Sequence, residues 1–199
     1  KGIPRKNIVP VAGKPLIAWT IEAAKGSRSL KRILVSSDDP EILAIAEKHG
    51  VEALVRPEAF AHDDTPAHAV VRHALDHLFE SEGALPEAVV YLQPTSPLRT
   101  AEDIDRAIDL FQKEEAGAVI GVTEGENKHL KSFFMENGKL RGIVNNDFPF
   151  MNRQMLPPVY VPNGAIYIIR ESEFSKGDTF FAEHTAGYSM PAERSIDID

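Results

Sequence analysis

Apolar and polar positions along this 199-residue chain fall into two rhythms. Recurrence at i, i+3, i+4 and i+7 marks the core-facing stripe of a helix, whereas a short apolar run between turn residues marks a buried strand. The first rhythm appears four times. Ile17, Thr20, Ile21 and Ala24 make one stripe, opened by Pro15 in the first helical turn and closed near Gly26. Ile42, Ile45 and Ala46 make the next, with Asp39 as cap, Pro40 in the first position and Gly50 past the end. Val71, Ala74, Leu75 and Leu78 follow a Thr65-Pro66 start, and Ile104, Ala107, Ile108 and Phe111 follow a Thr100 cap. Strands are expected over 32–37, 51–55, 88–92, 118–122 and 165–169. Alternating strands and helices predict an α/β fold whose parallel or mostly parallel sheet is covered by helices.

The rhythm changes over residues 124–162. Stretches 131–136 and 139–143 flank Asn137-Gly138, a strong type I′ pair, and predict a hairpin. Residues 145–162 are rich in Pro, Asn, Gln and Met and show no period. An irregular segment of that length in a compact domain usually serves binding or association. The expected organisation is one domain, 1–199, with 124–162 as an inserted arm.

Composition narrows the function. An apolar content of 43% is enough for a sizeable core, and no run of 18 apolar residues predicts a membrane span. No charged-then-apolar leader is visible either. The chain has no cysteine, which removes disulfides, thiolate catalysis and cysteine-based zinc sites and fits a cytoplasmic enzyme. A net charge of −8 argues against a nucleic-acid surface. Residues 1–14 are a local exception, with Lys1, Arg5, Lys6 and Lys14 and no acid, a segment able to attract a polyphosphate.

In open α/β sheets the ligand crevice lies beyond the carboxyl ends of the strands, so the loops leaving them are where chemistry is sought. Three such loops are rich in hydrogen-bonding groups: Ser36 to Asp39, Arg56 to Pro66 and Gln93 to Thr100. In the third, Pro94 and Pro97 fix the path while Gln93, Thr95, Ser96 and Arg99 supply donors and acceptors. Capping explains Thr100 but not Gln93, an amide free to orient a substrate. Asp197 and Asp199 alternate at the end of the chain and so fall on one side of a strand. Two carboxylates so placed suit Mg²⁺, which draws its other oxygens from water and substrate phosphates. His73 and His77 lie four apart on one helix but lack a third ligand, so they read as solvated or capping residues.

Five segments in register along the chain carry a family resemblance. Lys1-Gly2-Ile3-Pro4-Arg5-Lys6-Asn7, Ala12-Gly13-Lys14-Pro15-Leu16, Gln93 through Thr100, Pro162-Asn163-Gly164-Ala165-Ile166-Tyr167 and Ser195-Ile196-Asp197-Ile198-Asp199 together resemble the acylneuraminate cytidylyltransferases, the CMP-sialic acid synthetases. The resemblance implies a three-layer, Rossmann-like α/β nucleotidyltransferase fold with a mixed, mostly parallel sheet, and a homodimer whose irregular arm reaches toward the partner's active site. It implies transfer of CMP from CTP to the anomeric hydroxyl of a nine-carbon keto-sugar acid, with release of pyrophosphate and a requirement for Mg²⁺. By the same resemblance Lys6 and Asn7 approach the nucleotide, Arg56 and backbone near Thr65 read cytosine, and Asp197 and Asp199 hold the metal. Gln93, Lys131, Arg153, Asn163, Tyr167, Phe180 and Phe181 are implied to bind the sugar, Arg153 pairing its carboxylate and the aromatics packing on its N-acyl group.

The chain departs from the family pattern in three places. Ala67 stands where a serine is often found, and Val161 precedes Pro-Asn-Gly where some members have arginine. The family's Ala-Arg-x-x-Ser turn lies ahead of the position of Lys1. Other readings stay open from sequence alone: a synthetase for the eight-carbon 3-deoxy-manno-octulosonate, a catalytically silent nucleotide-sugar binding module, and a glycosyltransferase with an Asp-x-Asp metal site. No side chain stands out as the general base.

Overall fold

A computed structural model describes residues 3–62 and 64–198. A 3-10 turn at Lys6–Ile8 leads into two short antiparallel strands, β1 (Pro10–Val11) and β2 (Lys14–Pro15). Ala12 and Gly13 between them take positive φ of 49° and 88°, the left-handed pair of a tight hairpin turn. That turn draws Pro15 back into the ladder, so Pro15 precedes helix α1 (Leu16–Gly26) instead of lying in its first turn.

Strand β3 (Leu34–Ser37), helix α2 (Pro40–Lys48) and strand β4 (Glu52–Val55) form a right-length crossover unit whose two strands pair in parallel. Asp39 caps α2 as expected, accepting the Glu41 N–H at 2.9 Å. Helix α3 (Ala67–Glu82) starts after Pro66 with no side-chain cap, so Thr65 does not cap it. Asp63, in the Arg56 to Pro66 loop, lies outside the described residues. Strand β5 (Ala88–Tyr91) is followed by α4 (Ala101–Lys113), whose Thr100 and Asp103 close a reciprocal capping box. Strand β6 (Ala118–Gly125) runs past its expected end into the arm.

The hairpin of β7 (Phe133–Glu136) and β8 (Lys139–Gly142) turns on Asn137 and Gly138 at φ of 52° and 76°, the type I′ geometry read from the sequence. Strand β9 (Val159–Arg170) begins six residues before the expected strand, because Val159, Tyr160 and Val161 find partners on the extended end of β6. Helix α5 (Glu171–Gly177) and strand β10 (Thr185–Ser189) carry no sequence period that predicts them. α5 buries only Phe174, and β10 reads Thr-Ala-Gly-Tyr-Ser.

The main sheet has the order β10-β6-β9-β5. β10 is parallel to β6, while β9 is antiparallel to both its neighbours, so three strands share a direction and β9 opposes them. Period-two alternation splits the sheet's side chains between two helical layers. Val90, Val119 and Ile168 pack with Ile104, Ala107 and Phe111 of α4 on one face. Val89, Ala118 and Ile169 pack with Val71, Leu75 and Phe174 of α3 and α5 on the other. A third cluster, Ile17, Ile21 and Ile42, joins α1 to α2. Between the β3–β4 pair and β5 lies a largely apolar trough of about 560 Å³, lined by Leu34, Val90, Leu75, Leu78, Ile108 and Phe111. Among the described residues no helix is long and apolar enough to cross a membrane.

Candidate active site

The site is organised by a break in a ladder. Ile120 of β6 pairs with Tyr167, yet Val122 pairs with Pro162, so Gly121 alone faces residues 163–166 of β9. Such a bulge bends a strand and re-aims its side chains. Only a residue without a side chain fits opposite it, since a Cβ on Gly121 would lie 2.9 Å from Asn163 Oδ1 and 3.2 Å from the Ile166 carbonyl. At the crest Gly164 takes φ +74°, and a Cβ there would meet Gln93 Oε1 at 2.8 Å, Ser96 Oγ at 3.3 Å and Asp197 Oδ1 at 3.8 Å. Polar side chains from two segments distant in sequence, the Gln93 to Thr100 loop and the tail with Asp197, therefore converge on one bare stretch of backbone.

The other walls close around that point. The Ile198 N–H donates to the Thr95 carbonyl at 2.9 Å, which lays the carboxyl-terminal tail along the Gln93 to Thr100 loop. Lys6 Nζ donates to the Ile198 carbonyl at 3.0 Å, bringing the basic amino-terminal segment to the same place. Tyr167, Tyr91 and Phe180 cluster with ring centroids 5.2–6.1 Å apart, Tyr91 stacked on Phe180 and Tyr167 tilted against both. Burial raises the Tyr167 hydroxyl above its ordinary pKa, and Tyr91 and the Asp197 carboxylate add to the rise. Burial likewise raises Tyr91, against the pull of a hydrogen bond with Gln93 and the charge of Arg56. Arg56 itself is fixed by donating to the Ser36 hydroxyl, at 3.2 Å, and to the Ser36 carbonyl.

Beneath the loop sits Arg99, 3% exposed. Its guanidinium donates to the Ala165 carbonyl at 2.6 Å, the Thr20 hydroxyl at 2.7 Å and the Gln93 carbonyl at 3.3 Å. Burial lowers it to about 10, which the nearby Asp103 partly offsets, so it stays charged at neutral pH and ties the loop to β9.

Lys6, Arg56, Gln93, Tyr167, Phe180 and Asp197 thus belong to one constellation, and Asn7 lies in the same turn as Lys6. Thr65 lies in the loop before α3, its N–H donating to the His62 carbonyl. Asn163 is placed differently from the sugar contact the resemblance implies. It is 6% exposed, and its amide is engaged internally, donating to Ser195 Oγ at 3.0 Å and Met190 sulfur at 3.2 Å and accepting the Ala165 N–H. The aromatic pair divides, Phe180 packing inward and Phe181 standing 65% exposed. Lys131 and Arg153 lie on the arm, where Arg153 donates to Asn127 Oδ1 at 3.2 Å and approaches Glu126. Tyr91 and Ser96 complete the site and were legible only as a buried strand residue and a loop hydroxyl.

Asp197 is the described half of the expected metal pair; Asp199 lies outside the described residues. Among the described residues no group of three or more His, Asp or Glu side chains could hold a metal ion. A single uncommitted carboxylate beside a nucleotide crevice nevertheless fits Mg²⁺, which takes one or two protein carboxylates and completes its shell from phosphate and water. Among the described residues the Asp197 carboxylate accepts no hydrogen bond and forms no ion pair, which leaves its oxygens open for that role.

A family profile described as cytidylyltransferase matches residues 1–178. The chain belongs to the cytidylyltransferase family. Within that family it is 32% identical over 200 residues to the N-acylneuraminate cytidylyltransferase of Escherichia coli O18:K1:H7, covering all of this chain and 46% of the relative. It is 30% identical to the pseudaminic acid cytidylyltransferase of Campylobacter jejuni strain 81-176 and 31% identical to the CMP-N,N'-diacetyllegionaminic acid synthase of Legionella pneumophila. Each match covers the whole chain and 86% of the relative. The chain spans about half the length of the Escherichia coli and Streptococcus agalactiae relatives it matches. Its fold is shared with a CMP:2-keto-3-deoxy-manno-octonic acid synthetase complexed with CTP, at a TM-score of 0.67 and 12% identity, covering 96% of this chain and 85% of that one. This cytidylyltransferase-family chain therefore has the mixed-sheet nucleotidyltransferase architecture expected from its sequence.

Proposed function

We propose that this chain carries the catalytic site of a CMP-nonulosonate synthetase, transferring CMP from CTP to the anomeric hydroxyl of a nine-carbon keto-sugar acid with release of pyrophosphate. The observation that carries this reading is the convergence of Lys6, Gln93 and Asp197 around the Gly164 bulge. The named relatives act on N-acylneuraminate, pseudaminic and legionaminic acids, all nonulosonates, and this common substrate class supports the nine-carbon choice. The eight-carbon alternative rests on a structural neighbour at 12% identity, a likeness of fold.

In this reading the sugar hydroxyl attacks the α-phosphorus of CTP in line with the departing pyrophosphate, and catalysis is mostly positioning and charge neutralisation. Lys6, a compact charge on a flexible stem, holds the triphosphate. Arg56 and the Thr65 loop face the base. Gln93, with one donor and one acceptor, orients the sugar beside the Tyr167–Phe180 wall. Asp197 and Asp199 would hold Mg²⁺, which supplies neutralisation of the charge that develops on the leaving phosphates.

The same reading makes the enzyme a cytoplasmic homodimer. Phe150, Met135 and Met155 on the arm are 84%, 72% and 67% exposed, an apolar surface suited to a second copy. Arg153 and Lys131, which lie on the arm, would then serve the partner's site.

The test is pyrophosphate release from CTP and Mg²⁺ by the full-length protein against a panel of nine-carbon and eight-carbon keto-sugar acids. Release with one nine-carbon acid supports the reading and names the substrate. Release only with 3-deoxy-manno-octulosonate, or CTP binding without turnover across the panel, overturns it.

A further inference from the structure

The tail that carries Asp197 is not a strand of the sheet. After β10 it leaves through Met190, whose N–H donates to the Val122 carbonyl at 2.8 Å, makes a single 3-10 turn at Ala192–Arg194 and then crosses the mouth of the crevice. Its tethers are few. Asn163 donates to Ser195 Oγ at 3.0 Å, and Ile198 is held between Thr95 and Lys6. One tether differs in kind, because it is a charged, two-pronged pair against a buried anion.

Arg194 donates from Nη2 to Asp103 Oδ1 at 2.9 Å and from Nε to Asp103 Oδ2 at 3.1 Å. Asp103 is 2% exposed, whereas the Arg194 side chain is 36% exposed. The carboxylate does more than cap α4. A cap needs only the Thr100 N–H, at 3.0 Å, and the Thr100 hydroxyl, at 2.9 Å, both on Oδ2. Oδ1 is turned outward to Arg194 and to the Tyr188 hydroxyl at 3.1 Å. Burial works to raise the Asp103 carboxyl, but Arg194 and Thr100 outweigh it and hold it below its ordinary value, so it is an anion at neutral pH. One buried carboxylate thereby fixes both the end of the Gln93 to Thr100 loop, through Thr100, and the Asp197 tail, through Arg194. A planar guanidinium in a two-bond pair sets direction as well as distance, which a point charge does not.

We propose that Arg194, through its bidentate pair with Asp103, is a positioning residue for Asp197, setting where that carboxylate stands across the crevice from Gln93 and hence how tightly the site takes a divalent cation. The proposal rests on the reading of Asp197 as a metal-holding residue. Partners that orient a metal ligand are worth about 10–100-fold in metal affinity when removed.

The test uses the full-length protein and three variants, Arg194→Met, Arg194→Lys and Asp197→Asn, with Mn²⁺ binding in the presence of CTP followed by electron paramagnetic resonance. Alongside it runs the Mg²⁺ dependence of pyrophosphate release, both well below the unfolding temperature. Arg194→Met should weaken Mn²⁺ binding and raise the Mg²⁺ requirement about tenfold, with kcat at saturating Mg²⁺ within about threefold of the parent. Arg194→Lys, which keeps the charge but loses the fork, should fall between the two. If both Arg194 variants lower only the unfolding temperature and leave the Mn²⁺ curve unmoved, the pair is structural and the proposal is overturned. Arg194→Lys decides the question if Arg194→Met does not fold. If Asp197→Asn binds Mn²⁺ as the parent does, the metal reading of Asp197 fails, and the proposal fails with it for that separate reason.

Discussion

Replacing Gly164 by alanine tests whether the bulge is where the chemistry happens. Two costs follow from the geometry and can be measured apart. The first is conformational: an L-residue held at φ +74° pays roughly 1–2 kcal/mol. In a chain of this size that lowers Tm by about 2–8 °C. The second is local. The new methyl would lie 2.8 Å from Gln93 Oε1, inside the 3.4 Å at which ordinary contact begins, so the amide must retreat by about 0.6 Å. Gln93 ends in a flexible side chain, so this retreat costs little stability, but it moves the group proposed to orient the sugar and crowds Asp197. Displacements of that order in a reacting constellation cost about 10–100-fold in rate. Gly83→Ala is the control, since Gly83 at the end of α3 has φ +69° and open space where its Cβ would go. Thermal unfolding by circular dichroism should show similar losses for the two variants, while kcat/KM for pyrophosphate release should fall only for Gly164→Ala. Equal activity in both would refute the convergence at Gly164 as the reacting centre.

Asp197→Ala should abolish turnover with Tm within a few degrees of the parent; retained turnover removes its role. Arg99→Leu leaves the Ala165 carbonyl and Thr20 hydroxyl without their buried donor and should cost about 2–6 kcal/mol in urea unfolding. A loss below 1 kcal/mol would show that other donors take over. Asp105 faces residues 27–29 and gives a test by titration. Its burial would raise the carboxyl, but the Ser27 hydroxyl and the Arg28 and Ser29 N–H groups bring it down to about 2. A folded value below the unfolded one means that the stabilisation is present above the unfolded value, near 4, and is lost as pH falls toward 2. About 2 kcal/mol of stability should therefore disappear in that window and be absent from Asp105→Asn, whose acid limb should be flatter. Met135→Asp with Phe150→Asp should convert a dimer to a folded monomer in sedimentation velocity, and a monomeric parent would dismiss the arm as an interface.

Much of the architecture was legible because its elements obey local rules. The Asp39 and Thr100 caps, the Asn137-Gly138 turn and the four amphipathic stripes each follow from a few neighbouring residues, and each sits where its chemistry requires. The misreadings have long-range causes. Pro15 fits a helix start equally well as a strand end, and only the Ala12-Gly13 hairpin decides between them. The first residues of β9 have no alternation of their own and become a strand because the extended end of β6 receives them. Family motifs pointed to the site, yet they could not show that Asn163 works inside the wall. Its amide looks like any exposed polar group until Met190 and Ser195 arrive from near the end of the chain. Asp103 reads as an ordinary third residue of a cap, and nothing local announces that Arg194 will fork across both of its oxygens.

The bulge in β9 also decides which kinds of sequence change this chain can absorb. Pro162 and Tyr167 are five positions apart on β9 but their partners, Val122 and Ile120, are two apart on β6. That odd surplus makes Ile166 and Ile168 point toward α4 while the strand before the bulge keeps its own phase. Swapping a side chain within 163–166 alters a contact, whereas deleting or inserting one residue there would rotate an entire flank of the strand to the opposite layer. A diversified library of this chain should accordingly hold the length of this segment fixed and vary only its identities, with indels confined to the exposed loops of the arm.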